Sequence, residues 1–138
     1  MAALLVDAGV TEPTILAAAL LHDTIEDTDT SRAELAQRFG EVVAALIEEL
    51  TDDKSLPKLR RKQLQIEHAP HCSEQARLIK IADKIANLHD LAASPPKDWP
   101  RERRTGYVRW AQAVVERLDV PNPALLAKLD EAAQNALG

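Results

Sequence analysis

Cysteine occurs once in the 138 residues, at Cys72. A lone thiol makes no internal disulfide and excludes a four-thiolate zinc site, so any metal must rest on histidine and carboxylate ligands. Long apolar runs are also missing. The longest, Ile15 to Leu21, falls far short of the roughly 20 residues of a membrane-spanning helix. No basic segment precedes the opening Met1-Ala2-Ala3-Leu4-Leu5, so nothing there reads as a signal peptide. These absences predict a soluble chain in the cytoplasm with no membrane partner. Positive charge is in deficit: 17 Lys and Arg against 22 Asp and Glu give −5. That balance argues against a nucleic-acid partner, because neutralising a phosphate backbone needs a basic surface. Period-two alternation is nowhere sustained, which leaves no reason for a sheet, and no repeat or linker divides the chain.

What is present is 46% apolar residues, dominated by Ala and Leu at helical spacing. A single all-α domain spanning 1–138 is expected, burying roughly two-thirds of its unfolded surface. A first helix over Ala2 to Asp7 should stop at Gly9. A second should begin near Thr11 and Pro13 and, being apolar on every side, should lie at the centre. Ser31-x-x-Glu34 has capping-box spacing and opens a short helix ending at Phe39-Gly40. Val42, Val43, Leu46, Ile47 and Leu50 form an apolar stripe on the next, and Leu56 to Ala69 continues with basic residues outside. Ser73 can cap a long helix, Glu74 to Ala92, that places Asp83, Asn87 and Asp90 on one face. Tyr107, Trp110, Val114, Val115 and Leu118 mark another buried stripe, and Pro121-Asn122-Pro123 separates a last amphipathic helix.

Charge is distributed unevenly. Between Asp23 and Asp53 ten acidic residues face two basic ones, Arg32 and Arg38, a local sum of −8. Lys54, Lys58, Arg60, Arg61 and Lys62 then follow without an acid, and Arg101, Arg103, Arg104 and Arg109 form a second basic group. Such runs read either as cation and phosphate sites or as solvated helix faces. Within the acidic stretch, His22-Asp23-Thr24-Ile25-Glu26-Asp27 closes the most apolar helix. At about 100° per residue His22, Asp23, Glu26 and Asp27 fall within an arc of roughly 140°. Carboxylates that close repel, so a metal ion, a lysine or water must offset them. Asp83, set among Ile79, Ala82, Ile85 and Ala86, reads either as a further acidic ligand or as a buried carboxylate paired with Lys84 or Lys80.

His22-Asp23, followed some sixty residues later by Ile81-Ala82-Asp83-Lys84-Ile85-Ala86-Asn87-Leu88, resembles the HD-domain metal-dependent phosphohydrolases. The details resemble more closely the hydrolase domain of the RelA/SpoT proteins, and within it the small stand-alone SpoT-like hydrolases of metazoan-homolog type. Leu20 to Thr28, Phe39-Gly40, Leu50 to Leu59, Gln65 to Pro70 and Trp99 to Tyr107 fit that pattern in order. The resemblance implies an HD-domain helical bundle. It implies a divalent metal, usually Mn2+, held by a first His and by His22, Asp23 and Asp83; Fe2+ and Zn2+ suit the same donors. It implies that Glu26 and Asp27 orient and deprotonate the attacking water, and that Lys58, Asn87, Arg103 and Tyr107 contact the nucleotide. The implied reaction removes pyrophosphate from the 3′ position of guanosine tetra- or pentaphosphate, giving GDP or GTP. Taken by themselves, Lys58 and Arg103 also read as solvated surface, and Tyr107 as core.

The family's first metal-binding His, with the helix and basic pair that accompany it, is expected upstream of Met1, and His68, His71 and His89 do not match it. This start reads either as an internal Met of a longer protein or as a truncated form with an impaired site. Two other functions stay open on the same residues: removal of the 2′-phosphate of NADPH by the same fold, and a non-catalytic helical interaction module.

Overall fold

Capping explains where most of the elements begin and end. Leu5 accepts from the Val10 N–H at 2.9 Å beyond the first helix, α1 (Ala2–Asp7), with Gly9 at φ 89° in the turn. Only a residue without Cβ adopts that conformation freely, which ends the helix there. The Ser31 hydroxyl accepts from the Glu34 N–H at 3.2 Å and opens α3 (Arg32–Phe39). Gly40, at φ 93°, separates α3 from α4 (Glu41–Leu50). Ser73 accepts from Ala76 N–H at 3.2 Å and starts α6 (Glu74–Ala93). Asn122 accepts from Leu125 N–H at 3.1 Å to start α8 (Pro123–Leu137), and its amide donates to the Ala8 carbonyl at 3.3 Å, tying the first turn to the last helix. The computed structural model describes residues 2–25, 31–53 and 55–138, without the side chains of residues 23–25. Among the described residues there are eight helices and no strand, the remaining three being α2 (Pro13–Ile25), α5 (Lys58–His68) and α7 (Arg101–Leu118).

The central helix is α6, not α2 as its composition predicts. Ile79, Ile81, Ala82, Ile85 and Leu88 are wholly buried, and α6 packs on α1, α2, α4, α7 and α8. The alanines Ala132, Ala133 and Ala136 bring α8 close against it. By contrast α2, which packs chiefly on α4 and less on α1 and α6 among the described residues, buries Ile15, Ala18 and Ala19 but leaves Leu20 62% exposed. The α4 stripe likewise buries Val43, Leu46, Ile47 and Leu50 while Val42 stays exposed. A short 3-10 turn, Ala69–His71, follows α5, and Arg77 ties it down. Its guanidinium donates to the carbonyls of Pro70 and Leu118 at 2.7 Å and of Cys72 at 2.9 Å. No described helix is long and apolar enough to cross a membrane.

Candidate active site

Four stretches of helix and one loop turn polar side chains toward a common cavity of about 270 Å³. Basic α5 contributes Lys58, Arg61, Lys62 and Gln65, spaced i, i+3, i+4, i+7 and therefore on one face. Central α6 contributes Lys80, Asp83, Lys84 and Asn87 with the same spacing, interrupting its otherwise apolar surroundings. The last turn of α2 adds His22, α7 adds Tyr107 and Trp110, and the loop after α4 adds Asp52, whose carboxylate accepts from the Gln65 amide at 2.8 Å. A second cavity, of about 230 Å³, adjoins the first. It shares Lys58, Lys62 and Tyr107 with it and adds Leu59, Trp99 and Arg103.

Asp83 is the carboxylate best tied into this site. Its Oδ2 accepts from Lys84 Nζ and from Asn87 Nδ2, each at 3.4 Å. The Lys84 pairing considered from sequence therefore exists, yet it does not remove Asp83 from the cavity, which both residues line. Lys84 is only 5% exposed. Burial drives its ammonium below the ordinary lysine value, Asp83 opposes that, and the Trp110 ring lies 4.5 Å from its Nζ. Tyr107 behaves oppositely. Burial first, then the negative charge of Asp83, pushes its phenol up to about 12, partly offset by Asn87. It is therefore a neutral hydrogen-bonding group at physiological pH, not a base.

Aromatic rings support the cations. Trp99 and Tyr107 lie 5.8 Å apart between centroids, and Tyr107 and Trp110 5.4 Å. The Arg103 guanidinium sits 4.4 Å over Trp99, and Lys62 Nζ lies 5.2 Å from Tyr107 and 5.0 Å from Trp110. Among the described residues five cations, Lys58, Arg61, Lys62, Lys80 and Lys84, thus line the first cavity, with the carboxylates Asp52 and Asp83. Among the described residues only Lys84 of the five has a carboxylate within 4 Å.

Of the residues singled out from sequence, His22, Lys58, Asp83, Asn87 and Tyr107 meet at the first cavity, and Arg103 lines the second. The Asp23 side chain, Glu26 and Asp27 lie outside the described residues. Among those described, no three His, Cys, Asp or Glu side chains gather to hold a metal; His22 and Asp83 share the cavity wall. Arg61, Lys62, Lys80, Lys84, Trp99 and Trp110 line one or both cavities as well, and sequence reasoning assigned none of them an individual role at the site, Arg61 and Lys62 entering only as members of a basic run. The i, i+3, i+4 spacing of Lys58, Arg61 and Lys62 was the available signal.

The chain is similar to several known proteins. The sequence is 50% identical over 124 residues to guanosine-3′,5′-bis(diphosphate) 3′-pyrophosphohydrolase MESH1 of Xenopus tropicalis, covering 90% of this chain and 69% of that one. The Homo sapiens protein of that name is 51% identical over 119 residues, 86% of this chain and 66% of its own. A solved structure of a metazoan ortholog of SpoT, which hydrolyses ppGpp and plays a role in starvation responses, superposes with a TM-score of 0.90 at 47% identity, over 99% of this chain and 78% of that chain. A Listeria monocytogenes EGD-e protein superposes with a TM-score of 0.79 at 25% identity, over 99% and 92%. The sequence model of the HD domain matches residues 1–118, and the chain belongs to the HD-domain family.

Proposed function

We propose that this chain hydrolyses the 3′-diphosphate of guanosine tetra- and pentaphosphate, releasing pyrophosphate and leaving GDP or GTP. The observation that carries the reading is the cation-rich cavity with His22 and Asp83 in its wall, in a chain half identical to a protein that bears that activity in its name. Among the described residues five cations line that cavity, a setting that suits a ligand with several negative charges.

His22, Asp23 and Asp83 are the residues we assign to a divalent metal, Mn2+ in our reading. The fit rests on donor chemistry: an imidazole and a carboxylate line the same cavity, the mixed set that first-row divalent ions accept. A metal bound there supplies Lewis-acid stabilisation of charge developing on the phosphoryl group. Glu26 and Asp27 take the proton of the attacking water. Lys58 and Arg103 neutralise phosphate oxygens, Arg103 with a planar fork whose centre lies 4.4 Å from the Trp99 ring centre. Asn87 holds Asp83 at 3.4 Å and reaches the same space, and Tyr107 offers a phenol that stays protonated.

The test is release of pyrophosphate and GDP from guanosine tetraphosphate by the purified chain, with Mn2+, Fe2+ or Zn2+ added after chelation. Hydrolysis that needs a divalent ion and vanishes in Asp83→Ala supports the assignment. Full activity of Asp83→Ala overturns the site. Turnover of NADPH in preference to the tetraphosphate moves the substrate to a 2′-phosphate. Absence of both metal and nucleotide binding leaves only a helical interaction module.

A further inference from the structure

Lys62 is one of the cavity cations that the family resemblance leaves without a role, and of those it is the one that lines both cavities. With Lys58 and Tyr107 it lines both cavities, the one holding His22 and Asp83 and the one holding Arg103 and Trp99. Both ends of the residue are fixed: its carbonyl accepts from Trp110 Nε1 at 3.1 Å, and its Nζ rests 5.2 Å from the Tyr107 ring centre and 5.0 Å from that of Trp110. A flexible lysine is thereby held at the junction without the usual rotamer loss on binding. Among the described residues no carboxylate lies within 4 Å of it. Among the described residues the charged groups acting on it are Lys58, Arg103 and Lys84, and their repulsion adds to burial in drawing its ammonium below the ordinary lysine value. Four cations in one region raise the energy of the empty site, and an anion spanning both cavities relieves it.

We infer that Lys62 is a substrate-contacting and specificity-determining residue, which bridges the phosphate groups held in the two cavities and so favours a nucleotide phosphorylated at both ends of its ribose. The inference rests on the proposed function and deepens it. A guanosine carrying a diphosphate at one end only fills one cavity and leaves the Lys58, Lys62 and Arg103 repulsion partly unrelieved. The competing account makes Lys62 a lid on Tyr107 and Trp110, valuable for packing alone.

Lys62→Met keeps the stem over the rings and removes the charge, and Lys62→Arg keeps both. KM for guanosine tetraphosphate should rise about tenfold or more in Lys62→Met, by more than kcat falls, and return to within about threefold in Lys62→Arg. The wild-type preference for guanosine 3′,5′-bis(diphosphate) over guanosine 3′-diphosphate with a free 5′-hydroxyl should shrink in Lys62→Met. A lowered Tm with KM and preference intact makes Lys62 a packing residue and overturns the inference. Calorimetric titration of chelator-treated protein with inorganic pyrophosphate tests Lys62 without turnover. Binding at least tenfold weaker in Lys62→Met upholds a phosphate contact even if no nucleotide is hydrolysed, whereas equal binding, or none to the wild type, refutes it.

Discussion

Asp83 is both the proposed metal ligand and the counter-ion of a buried lysine, and the two roles separate in a mutant cycle. Asp83→Asn keeps the shape of the side chain and removes its charge. Lys84, 5% exposed, then has no carboxylate within 4 Å among the described residues. Removing one member of a buried ion pair typically costs about 3–5 kcal/mol. Here the pair is looser, with 3.4 Å between Nζ and Oδ2 and an Asp83 side chain 25% exposed. The Trp110 ring also stays 4.5 Å from the ammonium, an attraction of about 1–2 kcal/mol at a desolvated site. The expected loss is therefore about 2 kcal/mol, roughly 7 °C in Tm for a domain of this length. Adding Lys84→Met removes the stranded charge and should restore most of the stability. Activity should behave differently: both the single and the double mutant fall at least about a hundredfold, since the disruption of even an outer partner of a metal ligand costs 10- to 100-fold. Melting should be followed in chelator, because a bound ion would stabilise the wild type by mass action and inflate the difference. Equal Tm for wild type and Asp83→Asn refutes the electrostatic part. Hydrolysis regained in the double mutant refutes the ligand part.

Two further outcomes follow from groups outside the cavity pair. Ser73 accepts from Ala76 N–H, donates its hydroxyl to Glu49 Oε2 at 2.8 Å, and offers its own N–H to Glu49 Oε1 at 2.6 Å. Ser73→Ala should cost about 1–2 kcal/mol by loss of the cap and the α4–α6 tie, visible as a lower Tm with KM unaltered; an unchanged Tm removes the capping argument. Burial chiefly pushes the Cys72 thiol up, so less of it is thiolate at a given pH than for a free cysteine. Its alkylation by iodoacetamide at pH 8 should run several-fold slower than that of free cysteine and keep accelerating as pH rises past the free-thiol value. A rate matching the free amino acid at pH 8 contradicts the shift.

Local chemistry was legible wherever the cause is local. The Ser31 and Ser73 caps, the stop at Gly9 and the buried Val114, Val115 and Leu118 of α7 stand where the sequence puts them, because capping and periodicity act within a few residues. Tyr107 and Trp110 of the same stripe are instead half-buried and line the first cavity. Burial was less legible. Val42 and Leu20 obey the helical pattern yet face outward, since a pattern says which side is apolar and not whether another helix covers it. The same limit hid half of the site. Lys58, Arg61 and Lys62 satisfy every expectation of a solvated face, and what makes them something else is a set of lysines on α6, about twenty residues further on, across a cavity. Like charges brought together by tertiary structure carry no signature in either segment alone.

The placement of the scarce aromatic residues strengthens this argument. The chain has four, and the buried core is aliphatic: Leu, Ile, Val and Ala fill it. Trp99, Tyr107 and Trp110 instead form one run of rings at the cavity mouths, half-buried against that core and met by Arg103, Lys62 and Lys84. A ring contributes area with few rotatable bonds, and its negative face tolerates a neighbouring cation. Three rings meet three cations near one another, and two of these, Arg103 and Lys62, have no carboxylate within 4 Å among the described residues, where such a partner would have cancelled charge that a phosphate must meet. On that account a carboxylate introduced beside Lys62 would stabilise the free protein and weaken the site, which is the trade expected where charge is held ready for a ligand instead of for folding.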